Sequence, residues 1–105
     1  MKIQVETDSN IEGNTMLAQA VETVVRDTLD RFSSQITRVE VHLSDENSGE
    51  KFGTDDKRCL LEVRFASHEP IAVTDRAATS EQAVSGAAEK MKHLLETTLG
   101  RFNDR

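Results

Sequence analysis

Ile36-Thr37-Arg38-Val39-Glu40-Val41-His42-Leu43 is the run on which the architecture turns. In an extended chain Val39, Val41 and Leu43 point one way, and Arg38, Glu40 and His42 point the other. Strand side chains alternate between faces, so residues 36–44 read as a strand with one face in a core and one in water. The same signature recurs on both sides. Downstream, residues 57–67 set Cys59, Leu61, Val63 and Phe65 against Arg58, Leu60, Glu62 and Arg64. Between the two strands, 45–56 carries Ser48, Gly49, Gly53 and five acids, the composition of a long hairpin connection. Upstream, Ile3, Val5 and Thr7 alternate with Lys2, Gln4 and Glu6, a third half-buried strand. His68-Glu69-Pro70 reads as a tight turn, and Ile71 and Val73 mark a short fourth strand, with 75–79 as a linker.

Two segments change period. Within 15–32, Met16, Leu17, Ala20, Val21, Val24, Thr28, Leu29 and Phe32 recur at three and four residues, the apolar stripe of a helix. Asn14 or Thr15 is placed to cap it, and Ser33-Ser34 ends it. The last segment places Thr79 or Ser80 as cap before Ala83, Val84, Ala87, Ala88, Met91, Leu94, Leu95, Thr98, Leu99 and Phe102. The order β-α-β-β-β-α predicts an α+β fold: a four-stranded mixed sheet with two helices packed on one face. The first two strands, joined through a helix, are expected to be parallel with a right-handed crossover, and the last three to be antiparallel. Residues 1–105 read as one domain, with no internal repeat or linker. An exposed fourth strand would leave an open edge through which a second copy can pair as a homodimer.

The chain carries 13 Lys and Arg against 19 Asp and Glu, a formal charge of −6. Such a balance argues against undirected binding to nucleic acid. The acids are unevenly spread: Asp45, Glu46, Glu50, Asp55 and Asp56 face only Lys51 within 45–56. A single cysteine, Cys59, excludes an internal disulfide and agrees with a reducing cytosol. No run reaches the ~20 apolar residues of a membrane span, and no apolar signal-peptide run opens the chain, so a cytoplasmic protein without membrane contact is expected.

No catalytic fingerprint is present. His42, His68 and His93 fall on a strand, a turn and a helix, without metalloprotease spacing, and no nucleophile elbow occurs. A Cys59–His42 pair is opposed by the alternation, which puts the thiol on the apolar face and the imidazole on the polar one. The oxygen-rich stretch Asp45-Glu46-Asn47 with Asp55-Asp56 does not have calcium-loop spacing. No metal or cofactor is expected, and the chain is read as a non-enzyme. What remains is a set of cations, several of them on helices, able to contact phosphates.

In this order and at this length the chain resembles the ribosome hibernation-promoting factor and ribosome-associated inhibitor family, in its short form. The likeness rests on Met1-Lys2-Ile3-Gln4-Val5, on Leu29-Asp30-Arg31-Phe32 leading into Ile36–Val41, on Ser44-Asp45-Glu46-Asn47 with Asp56-Lys57-Arg58-Cys59, and on Ala83-Val84 and Glu89-Lys90-Met91. The resemblance implies a double-stranded-RNA-binding-like fold with an added first strand. It implies docking on ribosomal RNA of the small subunit where mRNA and tRNA otherwise sit, so that translation is inhibited under stress by occupancy. Carried over, it implies RNA-binding cations at Arg26, Arg31, Lys90, Lys92 and Arg101, with Arg38 and Arg58. The net charge and the acidic 45–56 segment motivate a competing expectation, a protein-interaction module on the same fold that does not bind RNA.

Overall fold

A computed structural model describes residues 1–8, 15–45, 56–66 and 68–99. Asn14, most of the acidic 45–56 segment, Arg101 and Phe102 lie outside them. The elements are β1 (Lys2–Thr7), α1 (Thr15–Leu29), a 3-10 turn (Asp30–Phe32), β2 (Ile36–Asp45), β3 (Lys57–Phe65), β4 (Ile71–Ala77) and α2 (Ser80–Thr98). The strands lie side by side in the order β1-β2-β3-β4. β1 and β2 are parallel, and the other neighbours are antiparallel.

The register explains why one face is dry. Ile3, Val39, Val63 and Ile71 stand in one row across the sheet, and Val5, Val41, Leu61 and Val73 in the next. Both helices press on these rows: Val21, Val25 and Leu29 of α1 and Ala83, Val84, Ala87, Ala88, Met91 and Leu95 of α2 join Val39, Val41, Leu61 and Val63 in one core. Three of the buried α2 residues are alanines, whose small side chains let the helix backbone approach the sheet closely. The other face of the sheet carries Arg38, Glu40, His42, Arg58, Glu62 and Arg64, none of them buried. The expected element order, the strand pairing and the two helices on one face are therefore the observed ones.

Three local expectations shift. β4 runs to Ala77, so 75–77 are strand rather than linker; the alternation is masked in the sequence because Asp75 takes a core-face position, opposite Cys59. Met16 is 80 % exposed, whereas Val25, which the stripe omitted, is fully buried. Met16 precedes Val21 by five residues, about 140° around the helix from it, while Val21, Val25 and Leu29 stack at intervals of four on one side. Finally, the helical stretch ends at Leu29 and tightens into the 3-10 turn before β2.

Candidate nucleic-acid interface

α2 positions two of the sequence-named cations. It starts cleanly: Thr79 is extended, with φ −126° and ψ 157°, and its Oγ1 accepts the Gln82 N–H at 3.1 Å. Its apolar row turns toward the sheet, which leaves the flanks for charge. Lys90 and Lys92 are two residues apart, hence about 200° apart around the axis, and they leave the helix on opposite flanks. Lys90 leans onto β4: its Nζ donates to the Thr74 carbonyl at 2.9 Å and sits 3.1 Å from Asp75 Oδ1. Lys92 has no ion pair or side-chain hydrogen bond among the described residues, and it lies on the flank shared with Glu96, four residues on.

Glu96 is where α2 meets the end of α1. Its Oε2 accepts from Arg31 Nη1 at 3.3 Å, and its Oε1 lies 3.7 Å from His93 Nδ1. The Arg31 guanidinium also stands 5.3 Å from the Phe32 ring centre, while its side chain stays 68 % exposed. The ring is fixed in the core, so the cation is held over a rigid surface yet remains open to solvent. Arg31 and His93 thus meet one carboxylate at the α1–α2 seam, with Lys92 one turn before it on α2.

The other named cations among the described residues do not join this group. Arg26, on α1, faces β1: it pairs with Glu22 at 3.9 Å, and its Nη1 donates to the Met1 carbonyl at 3.5 Å. Arg38 and Arg58 project from the uncovered face of the sheet, away from both helices. Arg38 donates to Gln4 Oε1, and its Nε lies 3.1 Å from Glu40 Oε2 in ion-pair but not hydrogen-bond alignment. Arg58 stands opposite Ser44 and Arg76 in the ladder and lines a small cleft with Glu6, Asp8 and His42.

Acids share that uncovered face throughout. Glu40 meets Arg38, Arg64 and His42, Glu62 meets Arg64, and Glu6 meets His42 at 3.2 Å. Exposed ion pairs of this kind, within a strand or across strands, contribute about 0.2–1 kcal/mol each. Sequence spacing named the cations but not their carboxylate partners. Asp75 was missed altogether, although an interior glycine on the facing helix, Gly86, was a signal that something large sits against it.

The remaining chemistry is inert. Cys59 is fully buried, and burial, with the Asp75 charge nearby, pushes its thiol pKa up to about 12 against the opposing effect of Arg58. It is no nucleophile at neutral pH. Among the described residues no three His, Cys, Asp or Glu side chains gather to hold a metal ion. No described helix is long and apolar enough to cross a membrane.

No curated protein matches the sequence. Solved structures do match the fold. The N-terminal domain of Thermus thermophilus protein Y superposes with a TM-score of 0.71 at 19 % identity, over 93 % of this chain and 99 % of that one. A ribosomal subunit interface protein from Coxiella burnetii superposes with a TM-score of 0.75 at 13 % identity, over 95 % and 99 %. At such identities the likeness establishes the β-α-β-β-β-α fold. Sequence adds the rest: the model of one protein family, described as sigma 54 modulation protein / S30EA ribosomal protein, matches residues 3–103. That span takes in both helices and all four strands, and the chain belongs to this family.

Proposed function

We propose that this protein is a cytoplasmic, ribosome-associated translation inhibitor, a hibernation factor that binds the small ribosomal subunit by occupying the mRNA and tRNA site. Membership of the family over residues 3–103 carries the reading. A fold neighbour titled as a ribosomal subunit interface protein agrees with it. The action needs occupancy only and no chemistry, which suits a chain whose single thiol is buried. Among the seven sequence-named cations, the geometry favours Arg31 and Lys92 as phosphate contacts. Arg31 is prepositioned over Phe32, and Lys92 stands one turn before Glu96, the partner of Arg31.

Co-sedimentation with small subunits from starved cells, at two salt concentrations, tests this. The wild type should travel with the subunit at low salt, and Arg31→Glu with Lys92→Glu should release it. Each lost phosphate contact should flatten the plot of log affinity against log salt by about 0.9, a slope calibrated on duplex DNA. Wild-type protein left at the top of a low-salt gradient would overturn the reading.

One observation favours the second reading, a protein-interaction module. Arg26, Arg31, Arg38 and Lys90 already hold carboxylates of their own chain. Affinity purification that recovers a specific basic protein and no ribosomal RNA would establish that reading in place of the first. A homodimer through β4, an outer strand of the sheet, is proposed alongside either reading; a monomer by analytical ultracentrifugation at high concentration removes it.

A further inference from the structure

Asp75 is out of place by sequence logic. On β4 it follows Ile71 and Val73 on the helix-covered face, where it faces Cys59 across the ladder. A carboxylate so placed needs both room and a partner. α2 supplies both. At Gly86 a Cβ would overlap Asp75 Oδ2 and come within 2.8 Å of its Cγ. One turn later, Lys90 Nζ reaches Asp75 Oδ1 at 3.1 Å and also donates to the Thr74 carbonyl at 2.9 Å. Sliding α2 by one turn, about 5.4 Å, would bring Gln82 or Lys90 to the position of Gly86 and drive a side chain into the carboxylate.

We infer that Asp75, Gly86 and Lys90 form a pin that fixes how α2 sits on the sheet, and that Lys90 is a positioning residue rather than an RNA contact. The pin decides which α2 cation faces outward for phosphate. With Lys90 held on the β4 flank, Lys92 comes round to the opposite flank, one turn before Glu96, the partner of Arg31. This second half rests on the ribosome-binding reading above; the pin itself does not.

Two measurements separate the halves. In thermal unfolding, Gly86→Ala should lower the melting temperature of the wild type, because the new methyl meets Asp75. In an Asp75→Ala background the same substitution should raise it, because the clash is gone and alanine is the better helix former. Lys90→Met should likewise destabilise the wild type and lose its effect in Asp75→Asn. Gly86→Ala with the same sign in both backgrounds overturns the pin. In salt-dependent co-sedimentation, Lys92→Gln should flatten the log–log slope by about 0.9, while Lys90→Met should leave the slope at the wild-type value even where its melting temperature has dropped. An equal flattening by Lys90→Met overturns its assignment as a positioning residue. Wild-type protein that fails to bind small subunits defeats the ribosome reading alone, and the sign reversal at Gly86 still decides the pin.

Discussion

Cys59 shows how one buried side chain ties the core to solution conditions. It stands on the apolar face between Leu43 of β2 and Asp75 of β4, with none of its surface exposed. Burial is the main reason its thiol pKa rises to about 12, and the Asp75 charge adds to it. An acid whose folded-state pKa is raised stabilises the fold fully below its unfolded pKa, and that stability is lost as pH climbs from there through the folded value. The unfolded thiol ionises near pH 8.5–9, so above about pH 9 the protein should lose roughly 1.4 kcal/mol per pH unit from this group. Urea denaturation at pH 8 and pH 10 should show the loss, and Cys59→Ala should abolish most of it. A thiol reagent at neutral pH should leave the native protein unlabelled and react once urea unfolds it. Fast native labelling would mean that the β3 core face opens readily. Lys57 titrates above the ordinary lysine value. Partial burial pulls its pKa down, but hydrogen bonds and charges from Asp45 and Asp56 outweigh that and leave it raised, so its effect falls outside the pH 8–10 window.

Among the elements, α2 begins on a single side-chain contact. Thr79 accepts the Gln82 N–H and so satisfies one of the donors that a helix start leaves open. Thr79→Ala should cost about 1 kcal/mol, read as a shift in denaturation midpoint with an unchanged slope; Thr79→Ser should restore most of it. The sequence left this cap between Thr79 and Ser80, and it made the existence of every strand and of both helices legible. Val39-Glu40-Val41 and Leu61-Glu62-Val63 alternate without interruption, and one face of each is buried. The far half of β4 was not legible, because Asp75 breaks the alternation and its compensation, Gly86 and Lys90, sits in another element. Local pattern cannot register a charge whose partner is distant in sequence. α1 was legible as a helix but misjudged in rotation: Met16 lies away from the Val21–Val25–Leu29 row, and hydrophobicity alone does not say which apolar residues face inward. The site was legible as residue types only. Lys90 and Lys92 look adjacent in sequence, yet helix geometry parts them, and the carboxylates of Glu22, Glu40, Asp75 and Glu96 that claim the cations come from both near and far along the chain.

The whole molecule carries −6, so the phosphate-rich partner proposed above would feel two opposing fields. At short range Arg31 and Lys92 attract. At long range the excess acid repels. Which dominates depends on screening: the Debye length is about 8 Å at 0.15 M salt and about 30 Å at 0.01 M. At physiological salt a phosphate approaching the α1–α2 seam senses chiefly the local cations, whereas at low salt it senses the net charge of the protein. Association and dissociation should therefore respond differently. Dissociation should slow as salt is lowered, because bound cation–phosphate contacts tighten and displaced counterions return less readily. Association should not gain the acceleration that basic partners enjoy at low salt, since steering requires complementary long-range fields. Stopped-flow mixing of labelled protein with small subunits at constant magnesium should show the association rate constant rising between 0.01 and 0.15 M salt, while the dissociation rate constant rises more steeply. An association rate constant that falls with added salt would mean that a basic surface steers the encounter, and would overturn the proposal that RNA first meets this protein at the seam.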